Sequence, residues 1–223
     1  MKLCIYCAGG FGKEIFDVAT RINDIESRWD EIFFVDDNSS LGNTSYISKL
    51  YTVDRMLEEF DLDLIEVIIA SGEPVIRKII FDKVKGLNLK LTTLIDPSTI
   101  VSKTAIIEEG VIITPFCSIS SSAVIGKNVA INTNTIIGHD INIGIHAVTS
   151  SFVNVGGACI IGSGSYLGMG AQIKQGLSIG ENVVIGMGSV VFKDVPDKVI
   201  AMGNPARVML RNEDGLIFSK NKK

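Results

Sequence analysis

Apolar positions recur every six residues through the second half of the chain. Counting in sixes from Val101 lands on Ile107, Ile113, Ile119, Ile125, Ile131, Ile137, Ile143, Thr149, Val155, Ile161, Leu167, Ile173, Ile179, Ile185 and Val191. Fifteen of these sixteen residues are Ile, Val or Leu, and Thr149 is the exception. The residue after the aliphatic is often Gly (126, 138, 144, 156, 162, 168, 180, 186), and the fourth after it is mostly small, as at Ala105, Cys117, Ala123, Ala147 and Ala171. A period of six matches neither a helix nor a simple strand and is the signature of hexapeptide β-helix repeats. Each unit then makes one short strand and a turn, and three units close a triangular coil. The aliphatic residue points inward and stacks on its counterpart eighteen residues away. The small residue fills the narrow corner, and the glycines are expected to supply positive φ for the turn. Residues 99–192 hold roughly five coils, a prism on the order of 25 Å tall.

The first half follows a different rhythm. Lys2 to Cys7 is a short apolar run, followed by Ala8-Gly9-Gly10-Phe11-Gly12 and a helical pattern from Lys13 to Arg21. Strands are expected at Glu31–Val35, Leu64–Ala70 and Leu89–Ile95, with a helix from the Ser71-Gly72-Glu73-Pro74 turn through Lys85. Strands alternating with helices predict a small parallel α/β domain of Rossmann type. The glycine-rich turn can bring backbone amides to a phosphate at a helix N-terminus. Asp36 and Asp37 end the second strand, where such domains contact a ribose or base. With Ser71 and Gly72 they mark one sheet edge as a nucleotide-binding edge. The alternative for each is a solvated turn. Asp96-Pro97-Ser98 breaks the pattern just before the six-residue repeat and marks the domain junction.

Composition narrows the class. The 223 residues allow one or two domains, and the net charge of −4 argues against nucleic acid as the main partner. Residues 141 to 173 contain no Asp, Glu, Lys or Arg, yet their Gly, Ser and Asn content and six-residue period exclude a membrane span. Outward faces in that stretch are expected to be covered by neighbouring subunits or ligand. No secretory signal is expected, so the protein is assigned to the cytoplasm. Cys117 and Cys159 fall on the small-residue column. Cys4 and Cys7 project from opposite faces of a strand, and no second pair completes a zinc site. Two histidines, His139 and His146, cannot supply the three ligands of a catalytic zinc, so no metal is expected.

His139 lies two residues past a repeat position, where a side chain projects outward, and Asp140 follows it. A carboxylate partner makes an imidazole a better base. His146 lies in another column and is read as structural. The segments Ala8 to Lys13, Phe34-Val35-Asp36-Asp37, Ala70-Ser71-Gly72-Glu73 with Arg77, Ile131-Asn132-Thr133, His139-Asp140 and Gly203-Asn204-Pro205-Ala206 carry a family resemblance. The chain resembles the sialic acid O-acetyltransferase and bacterial nucleotide-sugar N-acetyltransferase family, which includes the acetyltransferase of bacillosamine synthesis.

The expected organisation is a small Rossmann-like α/β N-terminal domain (1–96), a parallel β-helix with its closing segment (97–210) and a tail (211–223) whose few apolar anchors predict fraying; a left hand for the β-helix is what the resemblance implies. The resemblance also implies a homotrimer with active sites between subunits, acetyl-CoA as co-substrate along the coils, and a nucleotide sugar held by Gly10, Phe11, Gly12, Asp36, Asp37, Ser71 and Gly72. His139 is then the general base, supported by Asp140, with Asn132 and Thr133 bordering the sugar. Gly157, eighteen residues after His139, is the candidate oxyanion donor through its backbone N–H, and Met169 and Met187 flank the pantetheine arm. Relatives often carry His where this chain has Phe11, and a second His at the place of Val148.

The expected reaction is acetyl-CoA-dependent N-acetylation of a nucleotide-linked amino sugar in bacterial surface glycan biosynthesis, with a 4-amino-4,6-dideoxyhexose as acceptor. O-acetylation of sialic acid or a similar sugar is the alternative. A non-catalytic trimeric scaffold or sugar-nucleotide sensor is the third reading.

Overall fold

The computed structural model describes residues 1–38, 40, 42–213, 215 and 217. Its first part is an α/β sheet. Strands β1 (Lys2–Tyr6), β2 (Glu31–Val35), β3 (Thr44–Ser45), β4 (Ser48–Tyr51), β5 (Ile65–Ile69) and β6 (Lys90–Leu91) are ordered β3-β4-β2-β1-β5-β6. All neighbours are parallel except the β3–β4 hairpin. Helices α1 (Gly10–Glu26), α2 (Val53–Glu59) and α3 (Pro74–Gly86) complete it. The hairpin and α2 are additional to the elements expected from the sequence, and α1 is longer at both ends. Central strands are buried on both faces, which is why β1, β2 and β5 read as continuous apolar runs.

The expected fourth strand, Leu89–Ile95, is divided. Lys90–Leu91 ends the α/β sheet, whereas Leu94–Ile95 pairs in parallel with Ile112–Ile113 and begins the coils. The coiled architecture therefore starts two residues before Asp96.

From there the chain is a parallel β-helix of the left-handed hexapeptide type, built from two-residue strands on three faces. The first face stacks Leu94–Ile95, Ile112–Ile113, Ala130–Ile131, Val148–Thr149, Tyr166–Leu167 and Val184–Ile185. The second runs from Ile100–Val101 to Val190–Val191, and the third from Ile106–Ile107 to Ser178–Ile179. Partners are eighteen residues apart throughout, as Ile119 with Ile137 and Ile125 with Ile143. The inward aliphatic column from Ile113 to Val191 is buried. Thr149 is buried with it, and its hydroxyl has no hydrogen-bond partner. Strands Val199–Gly203 and Ala206–Arg211 form an antiparallel hairpin that extends the first face.

The role expected of the repeat glycines is corrected by the backbone. Positive φ falls three residues past the aliphatic, at Phe116, Ser122, Asn128, Asn134, Asp140, His146, Phe152 and Ala158, and not at the glycines directly after it. Those glycines answer to close approach instead. A Cβ on Gly138 would lie 2.7 Å from the amide nitrogen of Gly157, and one on Gly126 2.8 Å from the carbonyl oxygen of Ile143. Each coil packs its corner against the backbone of the next, leaving no room for a side chain.

Outward residues of the first face are apolar because α1 covers them. Leu94, Ile112, Ala130 and Val148 share a core with Ile15, Ala19 and Ile22. Polar ties reinforce this junction: Arg21 Nε donates to Asp96 Oδ2 at 2.7 Å, and Lys85 and Lys127 both pair with Glu109. The tail expected to fray from residue 211 is engaged where it is described. Asn212 Nδ2 donates to the carbonyl of Asn182, and the Ile217 N–H donates to Glu73 Oε1 at 2.9 Å. Residues 214, 216 and 218–223 lie outside the described part. Among the described residues no helix is long and apolar enough to cross a membrane, and no group of His, Cys, Asp and Glu is arranged to hold a metal ion.

Candidate active site

His139 and Asp140 occupy the corner between the second and third faces. Asp140 has left-handed backbone (φ 56°), which turns its carboxylate back onto the preceding ring. His139 Nδ1 lies 2.7 Å from Asp140 Oδ2. A carboxylate only accepts, so Nδ1 carries the proton and Nε2 of the neutral ring keeps its lone pair. Both side chains are more than half exposed. The imidazole lies across Gly157 of the next coil: a Cβ there would fall 2.5 Å from Nε2 and 2.6 Å from Cε1. Gly157 is thus the residue type that lets the ring lie flat on the prism. A groove of about 550 Å³ runs beside this corner, lined by Gly138, Asn154, Gly156, Gln172, Lys174 and Phe192 among others.

A second cavity, of about 560 Å³, lies between the α/β domain and the first face. Phe11, Glu14, Ser71, Gly72, Glu73 and Ile76 line it from one side, and Asn132, Val148, Ser150, Ser151, Tyr166 and Met169 from the other. Among the described residues its charged lining groups are Glu14 and Glu73. Burial, and then the neighbouring Asp17, lift the Glu14 carboxyl above the usual range. Asn132 Oδ1 is buried without a hydrogen-bond partner.

Two helices begin beside this cavity without side-chain caps. Gly9 is the N-cap of α1 and Glu73 that of α3, and neither makes a capping bond. Open space lies where Cβ atoms of Gly9 and Gly10 would be, so the first amides of α1 are reachable. Gly12 serves packing instead, since a Cβ there would collide with the Cys7 carbonyl. Asp36 Oδ2 accepts the Ala8 N–H at 2.9 Å and so latches the glycine turn to β2. Asp37 accepts from the Tyr6 hydroxyl and pairs with Lys83.

Arg77 is fully buried and joins the two parts of the chain. Its Nη1 donates to the carbonyls of Ile69 and Ser71, and Nε and Nη2 donate to the backbone and side-chain oxygens of Asn128. Arginine can only donate, so Asn128 presents its amide Nδ2 to His146 Nδ1, 3.0 Å away. Nδ1 of His146 is therefore an acceptor and the proton sits on Nε2, the opposite tautomer from His139. Burial, then the Arg77 charge, pull the His146 pKa down to about 4. His146 is neutral at pH 7 and belongs to this brace between α3 and the third corner.

Of the expected site residues, Phe11, Ser71, Gly72, Asn132, Val148 and Met169 line the cavity together. Gly10 is exposed at the start of α1 beside it. Thr133 bonds Thr114 through their hydroxyls. Val148 is buried on the first face under the α/β domain, not beside His139. His139 and Gly157 share one corner, and Met169 and Met187 lie at the opposite edge of the same face, so one chain does not bring these two sets together. Sequence reasoning missed Glu14, Ser150, Ser151 and Tyr166. Glu14 lies one helical turn after Gly10, a spacing that could have revealed it.

Residues 2–84 match the PglD N-terminal domain family, and residues 158–193 match the bacterial transferase hexapeptide (six repeats) family. The first match spans the α/β part and the second the later coils. No curated protein sequence matches it. Among solved structures it is similar to the acetyltransferase domain of PglB from Neisseria gonorrhoeae FA1090, at 28% identity and TM-score 0.87 over 93% of this chain and 99% of that one. The same domain is known in complex with acetyl coenzyme A. WeeI from Acinetobacter baumannii AYE is similar at 28% identity and TM-score 0.86, covering 94% of this chain and 100% of that one. PerB from Caulobacter crescentus shares the fold at 24% identity and TM-score 0.85, over 94% of this chain and 97% of that one.

Proposed function

We propose that this protein is an acetyl-CoA-dependent N-acetyltransferase that acts on a nucleotide-linked amino sugar in surface glycan biosynthesis, with His139 as general base. The observation that carries the reading is the Nε2 lone pair of His139, oriented by Asp140 over Gly157 at the edge of a groove along the coils. Likeness to an acetyltransferase domain known with acetyl coenzyme A supports the co-substrate.

In this reading the acetyl-CoA arm follows the groove, with Lys174 available to its phosphates. The uncapped N-terminus of α1 at Gly9 and Gly10 seats the phosphates of the sugar nucleotide, because its free amides and dipole favour anions. Asp36 holds that turn in shape, and the sugar enters the cavity beside Phe11, Ser71, Gly72 and Asn132.

The acceptor nitrogen, once it has shed a proton to solvent, attacks the thioester carbonyl. His139 Nε2 takes the second proton as the C–N bond forms. The C–S bond then breaks, and the proton passes from His139 to the departing CoA sulfur. Asp140 keeps Nδ1 protonated, so Nε2 faces the reaction throughout. Among the described residues the Gly157 amide has no backbone acceptor, and it is the donor proposed for the carbonyl oxygen as it gains charge.

His139 and the cavity lie at different edges of one chain. A homotrimer in which the second face of each copy meets the next would join one chain's His139 to another's cavity. His139→Ala is expected to abolish acetyl transfer while calorimetry still detects a UDP-, GDP- or dTDP-linked amino sugar. Near wild-type turnover in that variant would remove His139 as the base.

A further inference from the structure

We propose that the cavity receives the acceptor through its ammonium group, with Glu14 as the specificity-determining charge partner. The inference rests on the acetyl-transfer reading above and names the part of the substrate that the chain discriminates.

The chemistry of the cavity wall carries the argument. A nucleotide sugar brings phosphates, yet among the described residues no Lys, Arg or His lines this cavity. Its charged groups are two carboxylates, Glu14 and Glu73, and Glu73 Oε1 is already engaged by the Ile217 N–H. Asn132 adds a buried side-chain oxygen with no donor opposite it. Such a wall repels phosphate and carboxylate, and it answers a group that carries positive charge and several N–H donors.

Position on α1 supports the same assignment. Along α1 the backbone of Glu14 lies about one helical turn, roughly 6 Å, beyond the open amides at Gly9 and Gly10. A ligand with phosphate at one end and ammonium across a sugar ring matches that pair of ends. Asp17, three residues on, adds negative potential behind Glu14. Sialic acid would instead bring its own carboxylate against Glu14 and Glu73. The cavity therefore favours an amine acceptor over that alternative.

Calorimetry with matched pairs of nucleotide sugars, amino against hydroxyl at the same carbon, tests the proposal. Wild-type chain is expected to bind the amino member more tightly, by about ten- to a hundredfold for a charge-assisted hydrogen bond. Glu14→Gln, a change at an exposed helix position, is expected to erase that preference, Glu14→Asp to keep part of it, and the affinity for the nucleoside diphosphate alone to stay put. In kinetics the loss should appear in KM for the amino sugar, with kcat and the acetyl-CoA KM little changed. Equal binding of both members by wild type, or an undiminished preference in Glu14→Gln, would overturn it. The two readings fail separately: a chain that prefers the amine but transfers no acetyl group sinks the enzyme, not the recognition.

Discussion

Gly157 is fixed by the ring that lies on it, not by its own backbone angles. A methyl group at that position would sit 2.5 Å from His139 Nε2, so Gly157→Ala must tilt the imidazole away from the prism. A displacement near 1 Å at a reacting group costs about a hundredfold in rate, and kcat is expected to fall by that order. The new methyl lies outside the coil core, so the melting temperature should hold. Steady-state kinetics with a thermal melt checks both, and an unchanged kcat would separate Gly157 from the chemistry. The period of eighteen made this pairing legible in the sequence, because it stacks residue 157 on residue 139. The tautomer was not legible. It follows from the left-handed turn at Asp140, which swings a carboxylate onto Nδ1. The reading of the repeat glycines as sources of positive φ failed for a related reason. Composition at a corner does not distinguish a residue that must turn from one that must be thin.

Helix α3 shows how an element ties the molecule together through polar groups that sequence patterns do not reveal. Its Arg77 reaches across to Asn128, which fixes His146, while Phe81 packs edge-on against the same ring. The charged groups that face His146 are Arg77, Lys78 and Asp82, all from α3. Burial first, and then these charges, hold the folded-state pKa near 4, against about 6.5 in an unfolded chain. As pH falls, the unfolded state takes the proton first. The stabilising contribution is complete above about pH 6.5 and is lost progressively toward pH 4, amounting to about 2 kcal/mol by pH 5. Urea denaturation at pH 7, 6 and 5, at one protein concentration, should show this loss, and His146→Gln should flatten it. An identical pH slope in the variant would mean that other groups carry it. Elements themselves were legible in proportion to their length. Strands β1, β2 and β5 stood out as buried apolar runs, whereas β3, β4 and α2 are short, and β3 and β4 end the sheet on one side. The run Leu89–Ile95 hid its break because Thr92 and Thr93 suit a strand, although Thr92 bonds back to Val67 and Leu94 forward to Val111.

At the level of the whole molecule, the six-residue period specified the prism. It could not specify that the tail is held to the coils by a bond from Asn212 to Asn182 and then reaches the start of α3 by one from Ile217 to Glu73. Nor could it say that the two halves of the candidate site lie at opposite edges of the second face. That separation makes a testable demand. Suppose that His139 of one chain serves the cavity of the next around a three-fold axis. His139→Ala and a blocked cavity should then each be inactive alone and yet complement each other. Ser151→Trp supplies the block: residue 151 is the outward corner position equivalent to His139, and it lines the cavity without touching the inward aliphatic column. In a random equal mixture, a site needs an intact His139 on one chain and an intact cavity on its neighbour. Each condition holds half the time, so about one quarter of wild-type activity should return. Mixing pre-formed, non-exchanging oligomers should restore none, which supplies the control. If each chain carried a complete site, co-refolded mixtures would stay as inactive as their parents, because every chain would still hold one defect.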